Sequence, residues 1–148
     1  SHTRRMAHQA VMYGFLLCFA STSVATVMHY VLNMSAPYPL WSLPKLLGVS
    51  GGLLLVVGCV EMVRLKLRAD TSLGAQGAFG GEIAFVGLLG FVGLSGLVLY
   101  GLGQTAAMPV LLALHLGSVL ALFLLTPFTK MAHGFYRLAA LAADAQRQ

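Results

Sequence analysis

Four long apolar runs, separated by short polar segments, dominate the pattern of hydrophobic and polar positions along the chain. A helix rises ~1.5 Å per residue and needs about 20 apolar residues to cross ~30 Å of hydrocarbon. Each run is long enough for one crossing. We therefore predict an all-α integral membrane four-helix bundle with spans at about residues 10–31, 46–63, 83–102 and 108–128.

The segments between the runs carry boundary signals. Prolines follow the first run, and a proline cannot continue a helix inside hydrocarbon. Tyr38 and Trp41 then mark a membrane interface, and a charged stretch at 64–70 ends the second run. The third run contains glycines at three-residue spacing, which close packing between helices explains: Gly87, Gly90, Gly93 and Gly96.

Composition supports a single membrane domain over residues 1–148. The chain is 58% hydrophobic and 9% charged, with a mean hydropathy of +0.84, whereas soluble domains are about 25% charged. A net charge of +5 raises the possibility of nucleic-acid binding. However, the basic residues are scattered between apolar runs, so we interpret them as topology signals and expect no nucleic-acid partner.

The distribution of basic residues predicts the orientation. Eight of the nine fall on one side of a four-span arrangement, and only Lys45 falls on the other. Both termini should therefore face the cytoplasm. Glu61 and Glu82 adjoin the basic loop at this side, where ion pairing or hydration stabilises them. We interpret them as interfacial anchors, with a proton relay as the alternative.

Cys18 and Cys59 both lie inside apolar runs, and the chain has no Cys-x-x-Cys motif. Two such residues cannot supply an iron–sulfur cluster. We interpret them as small packing residues.

The histidines carry the functional prediction. His2 is set aside because Ser1-His2 has the character of a cloning remnant. His8 and His29 bracket the first span, and His115 and His133 lie within and just beyond the fourth. Ionisable side chains are rare in spans because burial in hydrocarbon is costly, so each is a functional candidate. For any one of them, a packing or interfacial role is the alternative.

Helix geometry groups these histidines into two pairs. His115 and His133 are eighteen residues apart, about five turns at ~3.6 residues per turn, which predicts that both project from one face. His8 and His29 are about 60° out of phase. Antiparallel first and fourth helices would bring His29 opposite His115, and His8 opposite His133. Two facing imidazoles can ligate a haem from both sides.

We therefore predict two b-type haems, each with two histidine ligands. Zinc without a porphyrin usually takes further protein ligands, for which neither pair offers an obvious candidate. Gly14 and Gly117 are positions where a porphyrin face could approach the backbone. Basic residues could neutralise the haem propionates on the cytoplasmic side: Arg4, Arg5, Lys130 and Arg137.

The segment 115–133 resembles the last dihaem helix of the gamma subunit of respiratory nitrate reductase and its relatives. It has two histidines separated by seventeen residues, with Pro127-Phe-Thr-Lys130 before the second. In that superfamily each histidine supplies an axial ligand to one of two b haems.

Nearly the whole chain resembles the membrane domain of the tricarballylate or citrate utilisation protein B family. The resemblance rests on residues 13–30, on Ala36-Pro-Tyr-Pro-Leu40 and on His133-Gly-Phe-Tyr-Arg137. It implies a bacterial inner-membrane protein that receives electrons from a flavoprotein dehydrogenase and passes them to membrane quinone. In that family a cysteine-rich iron–sulfur domain precedes the membrane part.

The resemblance thus predicts an electron-transfer subunit of an oxidoreductase rather than a catalyst of bond formation. A haem-free membrane anchor or small transporter component is the alternative. An intramembrane metalloprotease is disfavoured because the chain has no His-Glu-x-x-His motif.

Overall fold

The structure, a computed structural model, describes residues 2–68 and 76–146, without the side chains of 76–79, Lys130, Met131 and His133. A short 3₁₀ turn, Thr126–Phe128, follows the fourth helix. The helices are α1 His2–Tyr30, α2 Leu43–Arg68, α3 Gln76–Leu102, α4 Met108–Leu125 and α5 Lys130–Ala145.

Four of the helical segments are long and apolar enough to cross a membrane, in agreement with the predicted all-α bundle of four membrane helices. The first begins earlier than predicted, at His2. Large apolar side chains such as Leu16, Phe19 and Leu124 are exposed along the bundle. A soluble monomer rarely exposes so much apolar surface, whereas a lipid bilayer covers it. The chain is therefore a multi-pass membrane protein with a helical bundle fold.

Each spanning helix packs against the next one in the chain, and no packed interface joins α1 to α4 within the described ranges. Glycines bring the first two helices into backbone contact. A Cβ added to Gly14 would lie 2.6 Å from the backbone nitrogen of Leu55, and one added to Gly51 would lie 2.8 Å from that of Cys18. Gly14 therefore serves helix packing, and the prediction that it admits a porphyrin is wrong.

The glycines of α3 serve different purposes along the helix. Gly90 lies against Cys59, and Gly93 lies against Val56 and Leu55, as expected for close packing. A Cβ at Gly87 would meet nothing within 4 Å. Gly96 faces a side chain of α4 that is described below. Packing therefore explains only the middle of this stripe.

The cysteines occupy the packing role predicted for them. Cys59 is buried in the small core that also contains Leu55, Leu89 and Leu122, and Cys18 packs against that core. Both thiols are free. Their small side chains fit where the first three helices meet.

The fourth span ends in a break rather than continuing into α5. Pro127 lies in the 3₁₀ turn, and Thr129 is extended, with φ −115° and ψ 168°. Proline has no N–H to continue the helical hydrogen bonding. The prediction that His115 and His133 share one face assumed an uninterrupted helix. The five-turn argument therefore does not apply across the break, and a shared face stays a prediction. The helix beyond the break, α5, packs mainly against the 3₁₀ turn among the described elements.

Charged residues pair at the predicted cytoplasmic ends of α2 and α3. Nη1 of Arg64 lies 3.6 Å from Oε2 of Glu61 within α2. Lys66 of α2 forms an ion pair with Glu82 of α3. Both glutamates are therefore ion-paired, and their role as interfacial anchors stays a prediction.

Candidate cofactor site

A cavity of about 360 Å³ lies between the four spanning helices. Apolar side chains from every helix line most of it, including Phe15, Val49, Leu97 and Phe123. A few polar groups also line it: Ser21, Thr22, Lys45, Tyr100 and His115. Small-molecule and cofactor sites typically occupy ~300–1,000 Å³ and combine apolar walls with a few placed polar groups. The cavity has the size and character of such a site.

His115 is the imidazole in this cavity. It lies in α4, seven residues after Met108, and is half-buried. Its Nδ1 lies 2.9 Å from the hydroxyl oxygen of Ser95 on α3. The Ser95 hydroxyl donates to the backbone oxygen of Val92 at 3.1 Å. The histidine is therefore held from the neighbouring helix.

The direction of the hydrogen bond between Ser95 and His115 depends on the tautomer of the ring. A serine hydroxyl has one proton. Where that proton is donated to Val92, the Nδ1–H of His115 donates to Ser95 and Nε2 keeps a free lone pair. Metal-ligating histidines usually donate their other ring N–H to a fixed partner in this way, which sets the tautomer and orients the ring. In that tautomer, the lone pair of Nε2 could bind a metal ion.

Gly96 provides the space that the ring occupies. A Cβ at this position would lie 3.0 Å from Cε1 of His115, 3.5 Å from Nδ1 and 3.6 Å from Nε2. Any larger residue would compete with the imidazole for this volume. Adjacent positions of α3 therefore hold the ring, Ser95 through its hydroxyl and Gly96 through its lack of a side chain.

The structure does not bring the other candidate histidines into this cavity. His8 is exposed near the start of α1, and His29 is exposed at its end, with its ring 4.8 Å from that of Tyr30 in an edge-on contact. The backbone of His133 lies in α5, and its side chain lies outside the described residues. Of the three candidate histidines with described side chains, only His115 lines the cavity. Both histidine pairings remain predictions.

A metal site with three or more protein ligands needs a cluster of histidine, cysteine or carboxylate side chains. Within residues 2–68 and 76–146, no group of three histidine, cysteine, aspartate or glutamate side chains is arranged to hold an ion. Gly117 is open, because a Cβ there would meet nothing within 4 Å.

Sequence reasoning missed four residues of the site: Ser95, Gly96, Lys45 and Tyr100. In the sequence, Lys45 is distinguished only as the one basic residue on the outer side. Gly96 is distinguished only as part of the glycine stripe. The ammonium of Lys45 lies 5.0 Å from the ring centroid of Tyr100. No local signal identifies these contacts, because each joins residues of different helices.

Fold and site together define a multi-pass helical membrane protein with a cofactor-sized cavity at the centre of its bundle. The chain belongs to the citrate utilization protein B family, because the sequence model of that family matches residues 1–148. It is 44% identical over 138 residues to the Citrate utilization protein B of Escherichia coli. That match covers 93% of the chain and 36% of the relative, so the chain spans little more than a third of that protein's length. No solved structure matches.

Proposed function

We propose that this chain is a dihaem b-type electron-transfer subunit. It passes electrons from a cytoplasmic flavoprotein dehydrogenase, through an iron–sulfur domain or subunit, to membrane quinone during citrate or tricarballylate utilisation. Family membership supports the metabolic role. One observation carries the haem assignment: His115 lies in a cavity between all four helices with its Nδ1 held by Ser95.

The arrangement of helices supports the same proposal. Directly packed helices lie about 8–10 Å apart, which leaves no room for a prosthetic group between them. Here α1 and α4 have no packed interface, yet residues of both line one cavity. The haem would supply one-electron transfer inside a low-dielectric shell. The residues of the chain orient the ligand ring, exclude water and set the position of the site in the membrane.

Ligation is proposed for four histidines in two sites, His115 with His29 and His133 with His8. The first site lies towards the outer end of the bundle and the second towards the cytoplasm. We place the protein in the bacterial inner membrane, with the second site nearer to the electron donor.

The experiment is a reduced-minus-oxidised spectrum of detergent-purified protein, with the haem-to-protein ratio measured on the same sample. We expect a b-type spectrum and about two haems per chain. Single His→Leu variants should then fall into two spectral classes, one for His29 and His115 and one for His8 and His133. His2→Leu is the matched control and should retain both haems.

Each result has a defined consequence. If the His29 and His115 variants lose different haems, the antiparallel pairing is wrong. If His8→Leu retains both haems, the inner site takes its second ligand from elsewhere. If the wild-type protein is colourless after expression with adequate haem supply, the dihaem proposal itself fails.

A quinone site near the cytoplasmic haem is the weaker part of the proposal. Tyr136 and Arg137 are exposed on α5 and adjoin His133 in sequence, next to Lys130 at the start of that helix. A quinone pocket needs such polar donors beside an apolar slot. We expect the double variant Lys130→Ala/Arg137→Ala to slow quinone reduction while both haems remain. Unchanged quinone kinetics would move the site to the outer side, near Tyr38 and Trp41.

A haem-free membrane anchor is the second candidate. The exposure of His8 and His29 outside the cavity favours it. The same spectrum distinguishes the two functions, because an anchor has no visible absorbance.

A further inference from the structure

Lys45 lies at the predicted outer end of the cavity that contains His115. It occupies the first turn of α2, is half-buried, and lines the cavity together with Tyr100 of α3. Its ammonium lies 5.0 Å from the Tyr100 ring centroid. An ammonium at this distance from an aromatic face gains ~0.5–2 kcal/mol, depending on how far it is desolvated. The contact positions the charge at the cavity wall.

No carboxylate within residues 2–68 and 76–146 pairs with this cation. The chain has four acidic residues. Glu61 and Glu82 lie at the far ends of their helices, where they pair with Arg64 and Lys66. Lys45 is sixteen residues before Glu61 in α2, a separation of about 24 Å along the helix, far beyond the ~4 Å of an ion pair.

Of the remaining two acidic residues, Asp144 lies in α5, beyond the opposite end of the fourth span. Asp70 lies outside the described residues. Among the residues that the structure describes, the half-buried ammonium of Lys45 therefore has no carboxylate counter-charge.

Such a charge is stabilised when a bound group supplies an anion. Haem b carries two propionate carboxylates at one edge of the porphyrin. His115 lies about 10 Å inward from the start of α4, and Lys45 lies at the same end of the bundle.

We propose that Lys45, positioned by Tyr100, binds a propionate of the haem that His115 ligates. This rests on the proposed haem function. It adds an outer propionate site to the basic residues that the sequence suggested for the cytoplasmic side. The ammonium also raises the reduction potential of that haem, because a nearby positive charge favours the form that has gained an electron.

The test is a spectroelectrochemical titration of the purified dihaem protein. Lys45→Gln should lower the midpoint potential of one haem, the one lost in His115→Leu, and leave the other unchanged. Lys45→Arg keeps the charge and should restore the wild-type value. Arg68→Gln removes one positive charge from an exposed position at the opposite end of α2 and should leave the outer potential unchanged.

Lipid phosphate is the other anion that could pair with Lys45, and the detergent distinguishes it. The shift should persist in a phosphate-free maltoside micelle. A shift that appears only in phospholipid bilayers would assign Lys45 to a headgroup and overturn the proposal, as would two unchanged potentials in Lys45→Gln. If Lys45→Gln does not accumulate, Tyr100→Leu tests the same contact and should lower the same potential. Absence of haem from the wild-type protein would instead refute the proposed function.

Discussion

Substitution of Gly96 tests whether the space that this glycine leaves for the imidazole ring of His115 is needed for haem binding. An alanine Cβ would lie 3.0 Å from Cε1 of His115. Ordinary carbon contacts lie at ~3.5–4.0 Å, so the ring must move by roughly half an ångström or more. Valine adds two further methyl groups, and overpacking of this kind typically costs ~1–3 kcal/mol. That range corresponds to a roughly 5- to 150-fold change in an equilibrium constant.

We expect Gly96→Ala to weaken one haem and Gly96→Val to lose it, and the lost haem should be the one that His115→Leu also removes. Gly87→Val is the matched control. It makes the same change in the same helix, and its Cβ would meet nothing within 4 Å. Gly96→Val and Gly87→Val change helix propensity equally. Any difference in haem content between them therefore comes from the atoms that the new valine side chain contacts.

The assay is the haem-to-protein ratio of purified protein, followed during dialysis against a haem acceptor. Thermal unfolding of the same samples shows whether the bundle is intact. Gly96→Val protein that retains two haems with wild-type affinity would refute the placement of His115 as a ligand in this cavity. Equal haem loss in both variants would show that the glycine stripe acts through general packing.

Three further predictions concern the contact between α1 and α2, the hydrogen bond between Ser95 and His115, and the orientation of the chain in the membrane. Gly51→Val should lower the thermal unfolding temperature strongly whether or not haem is bound, because its Cβ would lie 2.8 Å from the backbone of α1; an unchanged temperature would contradict the close α1–α2 contact. Ser95→Ala should weaken retention of one haem by roughly 10-fold, as loss of a histidine's hydrogen-bond partner typically does, and Ser95→Thr should restore part of it in the same dialysis assay. Reporter fusions after Leu67 and at Gln148 should be cytoplasmic and one near Pro39 external; an external reporter at the C-terminus would overturn the proposed orientation.

The sequence by itself determined the number of spanning helices and their approximate bounds. Run length and composition suffice for this, because a bilayer requires about 20 apolar residues per crossing and allows few charges. It also singled out His115, because an ionisable side chain within a span is conspicuous against an apolar background. The pairing of Glu61 and Glu82 followed from their proximity to basic residues.

The environment of His115 was decided only by the tertiary structure. In a soluble helix, the alternation of polar and apolar positions shows which face packs inward. In a membrane helix, lipid and neighbouring helices are both apolar, so the pattern does not show how the helix is rotated. The rotation of α3 about its own axis brings Ser95 and Gly96 to face His115. His115 lies twenty residues after Ser95 in the sequence.

The role of Gly14 and the break after α4 show the same limit. A glycine permits close approach by either a cofactor or a backbone, and only the position of α2 shows that Gly14 meets Leu55. Pro127 predicts a disturbance of the helix, but not that Thr129 becomes extended and redirects α5. Local residue types therefore fix where helices begin and end. The rotations and approaches of the helices, set by packing between distant segments, decide which side chains form the site.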